Sequence, residues 1–96
     1  MDIGLWRSYY GYGKPKITKL YDDKGYLLMR IEYFDNGQVQ YYQNVKSPMF
    51  GNKERNISMD RHGEVVKIYV EDSVLVLQKG QETEKIGENI FLEKHH

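Results

Sequence analysis

The sequence predicts an all-β fold, an antiparallel meander of six or seven strands forming a twisted sheet or a small open barrel. Three observations predict it. Nine tyrosines stand against three phenylalanines and one tryptophan, and tyrosine suits half-buried sheet faces where the ring packs and the hydroxyl stays wet. Four short segments carry turn chemistry between residues that alternate in polarity, Asp22-Asp23-Lys24-Gly25, Asp35-Asn36-Gly37, Arg61-His62-Gly63 and Glu71-Asp72-Ser73, and each can close a hairpin. The chain has 96 residues and no cysteine, so it has neither length for a second core nor a disulfide framework, and one β domain over residues 1–96 is expected.

In chain order, Trp6 to Tyr10 reads as a first strand, and Gly11-Tyr12-Gly13-Lys14 as a glycine-rich bend. The bend is not a phosphate loop. That motif needs a glycine where Ser8 stands and a Ser or Thr where Pro15 stands. A three-residue loop at Asp23-Lys24-Gly25 pairs Tyr21 with Leu27, Lys19 with Met29 and Ile17 with Ile31. A second at Asp35-Asn36-Gly37 sets Phe34 opposite Gln38, Tyr33 opposite Val39, Ile31 opposite Tyr41, Met29 opposite Gln43 and Leu27 opposite Val45. The three strands then share one apolar face, broken only by Lys19 and Gln43. Arg30, Glu32, Gln38, Gln40 and Asn44 fall on the other, and shortening the loop by one residue would mix the faces.

Residues 46–55, with Pro48, Gly51 and Asn52, form a loop of about ten residues, longer than the usual 4 to 6, and are the best candidate for a mobile or functional loop. In the second half, a two-residue turn at His62-Gly63 pairs Met59 with Val66 and Ile57 with Ile68. Val74 to Leu77 returns along Val66 to Val70, and its unbroken apolar run predicts a central strand buried on both faces. Residues 84–92 read as a last strand, with a short helix as the alternative. The expected core comprises Ile17, Leu27, Met29, Ile31, Val39, Tyr41, Ile57, Ile68, Val74 and Val76. Residues 93–96, ending in His95-His96, look like a purification-tag tail and are set aside.

Segment Tyr21-Asp22-Asp23-Lys24-Gly25-Tyr26-Leu27, followed by Tyr33-Phe34-Asp35-Asn36-Gly37-Gln38-Val39, resembles the hairpin units of variant MORN repeats and YD repeats. Met59-Asp60-Arg61-His62-Gly63-Glu64-Val65 is a weaker third copy. The resemblance implies stacked or meandering hairpins, and for bacterial members of the variant group an antitoxin-like or immunity role. Glycines 25 and 37 lie twelve apart, whereas 37 and 63 lie twenty-six apart, which departs from a regular solenoid.

Charge and composition narrow the function classes. Fourteen basic and fourteen acidic residues cancel, so no global field draws the chain to a polyanion. Residues 1–20 hold four cations against Asp2 alone, a local charge of +3, and residues 71–96 hold three against six acids, a local charge of −3. Met1 to Tyr12 contains no signal-peptide pattern, and the longest aliphatic run, Val74 to Leu77, is far below the roughly 18 residues of a membrane helix. Together with the absence of cysteine, this leads to the expectation of a cytoplasmic protein without a membrane partner.

No catalytic residue, metal site or cofactor is expected. His62 sits in a predicted turn, Asp22 and Asp23 suit turn capping, and no serine has a nucleophile-elbow context. The most function-like patch is Trp6, Arg7, Tyr9, Tyr10, Tyr12, Lys14 and Lys16. Aromatics interleaved with cations anchor protein interfaces, and they also stack bases and neutralise phosphates. The bland alternative is a strand whose rings complete the core. The leading expectation is a small non-enzymatic module that binds another protein, such as an immunity, inhibitor or adaptor protein of a bacterium or phage. A nucleic-acid-binding barrel comes second, and a barrel closing around a small molecule third. Open sheet edges would also permit a homodimer, with the face carrying Arg30, Glu32, Gln40 and Tyr42 as one place for it.

Overall fold

The computed structural model describes residues 4–90. Phe91 and the tail at 93–96 lie outside the described residues. The strands are β1 (Gly4–Tyr9), β2 (Pro15–Tyr21), β3 (Leu27–Tyr33), β4 (Val39–Asn44), β5 (Arg55–Ser58), β6 (Val66–Glu71), β7 (Val74–Lys79) and β8 (Glu82–Gly87). The expected all-β meander is therefore present, but with eight strands rather than six or seven. They form two antiparallel sheets, β1-β2-β3-β4-β5 and β6-β7-β8, and do not close into a barrel.

The three hairpins of the first sheet share one construction. Tyr10 N donates to Lys14 O at 2.8 Å, Asp22 N to Tyr26 O at 2.9 Å and Phe34 N to Gln38 O at 2.7 Å, so each loop has three residues, as expected for the second and third and as the glycine-rich bend of the first also proves to have. Each loop ends in a glycine near φ +90°, Gly13, Gly25 and Gly37, at a spacing of twelve. The twelve-residue unit thus begins one hairpin earlier than the sequence suggests. Gly37→Val forces a β-branched residue into this region and should cost on the order of 1 to 2 kcal/mol. Urea unfolding at unchanged slope measures it, and a loss under about 0.5 kcal/mol is incompatible with the turn described.

Beyond the loops the expected register fails, for one repeated reason. Tyr33 pairs with Val39 as expected, but the next pairs are Glu32 with Tyr41, Ile31 with Tyr42 and Met29 with Asn44. Gln40 is an extra residue, a β-bulge. Likewise Tyr21 pairs with Leu27, after which Leu28 is extra and Leu20 meets Met29 and Thr18 meets Ile31. Lys16 is the corresponding extra residue between β1 and β2. A bulge sets two residues against one and changes which side chains lie opposite each other downstream.

The faces of β2 and β4 exchange accordingly. Thr18, Leu20, Tyr42 and Asn44 are buried, while Ile17, Lys19, Tyr41 and Gln43 are only partly covered. Asn44 and Gln38, both expected in solvent, are inside. Asn44 Nδ2 donates to Val45 O and to Lys53 O, at 2.9 and 2.7 Å. Gln38 Nε2 donates to Asp60 O and Glu64 O, both at 3.3 Å. Each amide thus serves carbonyls of a chain segment that leaves the sheet.

The first of these segments is the long loop. It carries a 3-10 turn, Pro48–Phe50, ended by Gly51 at φ 69°, and its Phe50 ring is buried against Gly87. Met49 O accepts from Glu88 N at 2.8 Å, so this loop bridges the two sheets. The second is the turn at Asp60–Gly63. It does not form the expected hairpin: β5 pairs with β4 and β6 pairs with β7. Met59 and Ile57 therefore face no partner on β6, because the chain crosses from one sheet to the other here.

In the second sheet β7 is central, as expected, with a two-residue turn of left-handed Asp72 and Ser73 before it. Its burial is one-sided. Leu75 and Leu77 are buried and Val74 and Val76 only half-covered, because among the described residues the opposite face of the three-stranded sheet has no second layer. Residues 82–87 are a strand, not the alternative helix. The core gathers Leu20, Met29, Ile31, Val39 and Tyr42 from the first sheet with Val66, Ile68, Leu75, Leu77 and Ile86 from the second, and Phe50 and Ile90 close it. Of the expected core, Met29, Ile31, Val39 and Ile68 are buried; Ile17, Leu27, Tyr41, Ile57, Val74 and Val76 are intermediate.

Candidate partner-binding surfaces

The seven residues of the N-terminal patch do not form one surface. Residues alternate sides along β1, so Trp6 and Arg7 must diverge. Trp6 lies on the outer face of the five-stranded sheet, in a row with Lys19, Arg30, Gln43 and Asn56. The Lys19 ammonium stands 5.0 Å from the Trp6 ring centroid. In the next row Glu32 and Tyr41 are neighbours, and the Arg30 guanidinium pairs with Glu32 at 2.9 Å. This face carries Tyr41 and not Tyr42, which the bulge turns inward.

Tyr10, Tyr12, Lys14 and Lys16 do gather, at the end of the β1–β2 hairpin. The Tyr10 and Tyr12 rings are stacked, 5.8 Å between centroids and 4° from parallel. Lys14 lies over Tyr12 at 5.9 Å and Lys16 over Tyr10 at 5.8 Å. Both phenols reach the next hairpin: Tyr10 donates to Tyr33 O at 2.8 Å and Tyr12 to Asp35 O at 3.1 Å. Local desolvation and then the Asp35 carboxylate push the Tyr12 phenol up, so it remains a donor. Tyr9 and Tyr12 are 54% and 60% exposed. Arg61, which the sequence placed only in a turn, extends this end: it pairs with Asp35 at 3.0 Å and covers the Phe34 ring at 4.9 Å.

Arg7 belongs to a different site. It shares the inner face of the sheet with Thr18 and Ile31 and borders a cleft of about 270 Å³ between the two sheets. Leu5, Leu20 and Met29 line it from one sheet, Ile68, Val70 and Leu75 from the other. Thr18 and Tyr33 add hydroxyls. Arg7 and Thr18 are cross-strand partners and Tyr33 stands two residues along β3 from Ile31, which faces Thr18; burial pushes the Tyr33 phenol up, while Thr18 and the Arg7 charge pull it back. Sequence reasoning missed Thr18 because only the bulge at Leu28 turns it to the side of Ile31, and it had Tyr33 on the inner face but not beside Arg7.

A larger open groove of about 350 Å³ runs under the 3-10 turn beside Arg55 and Lys85. These cations pair with Glu84 and Glu88. Among the described residues, no three His, Cys, Asp or Glu side chains gather as a metal site, and no helix is long and apolar enough to cross a membrane. Comparison with protein-family models, with curated proteins and with solved structures finds no match to this chain.

Proposed function

We propose that this chain is a non-enzymatic protein-binding module that meets its partner through the β1–β2 hairpin end, in an immunity, inhibitor or adaptor role in the cytoplasm of a bacterium or phage-infected cell. The observation that carries the reading is the Tyr10–Tyr12 stack, tied by both hydroxyls to the neighbouring hairpin. Side chains already held in place lose little entropy on binding, and tyrosine anchors are the residues that most often dominate an interface. The resemblance of the hairpin units to variant MORN repeats supports the same class.

The partner offers an acidic surface, because Lys14, Lys16 and Arg61 surround the exposed rings. Base stacking needs an open ring face, whereas here each ring has its neighbour on one side and a lysine within 6 Å. The test is capture of a partner from native lysate, followed by affinity measurements with that purified protein. Tyr10→Ala with Tyr12→Ala should weaken the complex at least tenfold through faster dissociation, while Lys14→Gln with Lys16→Gln should mainly slow association. Tight binding of fluorescent oligonucleotides that weakens steeply between two salt concentrations would replace this reading with nucleic-acid binding.

A further inference from the structure

We propose that the cleft between the two sheets is a binding site for a small carboxylate with an apolar body, of about the size of octanoate, whose carboxylate is received by Arg7. The walls are aliphatic from both sides, with Leu5, Leu20 and Met29 facing Ile68, Val70 and Leu75. Arg7 is the one charged side chain among the described residues that line it. Ligand clefts combine apolar walls with a few convergent polar groups in this way, and usually occupy about 300 Å³ or more. At about 270 Å³ this one sits at the small end, room for about nine water-sized groups of ~30 Å³ each.

The charge decides the headgroup. An anion is the complement of a guanidinium, and the planar fork of arginine matches a carboxylate with two parallel hydrogen bonds. Thr18 is 5% exposed and faces Arg7 across the strands, and the Tyr33 phenol is pushed up by burial and stays protonated; these hydroxyls and that of Tyr69 are the other polar side-chain groups among the described residues that line the cleft. The edges of both sheets border the opening, β1 through Leu5 and Arg7 and β6 through Ile68 and Val70, so the apolar tail enters between the layers and the carboxylate remains at the rim. The site touches the tyrosine–lysine stack only at Tyr33, whose carbonyl accepts from Tyr10, and its probe is a small carboxylate rather than a protein, so the two readings are tested separately.

The experiment is an NMR titration of the isotope-labelled full chain with sodium octanoate, with octan-1-ol and acetate as controls for tail and headgroup. Saturable one-to-one binding with a dissociation constant below about 1 mM is expected, with shifts at Leu5, Ile31, Ile68 and Leu75, and each control at least tenfold weaker. Arg7→Gln, at an exposed position, should leave the spectrum folded and weaken octanoate at least tenfold, to the level of octan-1-ol. Val70→Phe, which fills the cleft from a half-buried position, should abolish both. Absence of saturable binding, shifts confined to other surfaces, or octanoate binding unchanged in Arg7→Gln would each overturn the proposal.

Discussion

Tyr42→Ala should destabilise the protein by about 3 to 5 kcal/mol, the range for removing a large buried aromatic ring. Tyr42 is fully buried in the middle of the core. Its neighbour Tyr41 lies on the outer face of the same strand, and Tyr41→Ala should cost only about 0.2 to 1 kcal/mol, the worth of a cross-strand pair. Denaturant unfolding of the two variants therefore reads the register directly. The buried Tyr42 hydroxyl has no hydrogen-bond partner among the described residues, so Tyr42→Phe forfeits no protein bond and should change stability by less than about 1 kcal/mol. Equal losses at positions 41 and 42 would rule out the bulge at Gln40.

Leu75→Ala is the corresponding result for the second sheet, with an expected loss of about 2 to 5 kcal/mol. Leu75 is 1% exposed and lies in the core between the sheets, beside its strand partner Gly87. Val76→Ala, on the face that no described residue covers as a second layer, should cost no more than about 1 kcal/mol. Thermal or urea unfolding separates the pair, and a larger loss at Val76 would mean that the sheet packs through its other face.

These two pairs mark where the sequence was legible and where it was not. The loops at 23–25 and 35–37 follow from local chemistry, from the aspartates and asparagine that open them and the glycine that ends each, and they are where the sequence placed them, whereas the turn at His62-Gly63 has the same chemistry and closes no hairpin. The faces do not follow, since a bulge is one extra residue with no composition of its own. Yet two residues carried the signal. Lys19 and Gln43 were the exceptions in an otherwise apolar face, and both exceptions vanish once Leu28 and Gln40 are extra: Lys19 turns out to Trp6, and Gln43 to the row of Arg30. The run Val74 to Leu77 misled for another reason, because an apolar strand is not buried twice unless a second layer exists.

The candidate site was legible in the same proportion. Tyr10, Tyr12, Lys14 and Lys16 form a group because a tight hairpin holds them together. Trp6 and Arg7 separate because adjacent strand residues point oppositely, which the sequence does state. Thr18, Tyr33 and Arg61 join through contacts between distant segments, and those follow only from register and from the crossing at Asp60–Gly63.

The strictly sequential order of the strands has a kinetic consequence. Within each sheet every strand pairs only with its neighbours in the chain, so no pairing must wait for a distant segment to arrive. Hairpins of this kind close in roughly 1–10 μs, and topologies rich in near-neighbour contacts fold quickly for their class. The slow event is then the meeting of the two finished layers. That encounter is guided by a short tether, the turn after β5, where Gln38 grips the backbone on both sides of the crossing.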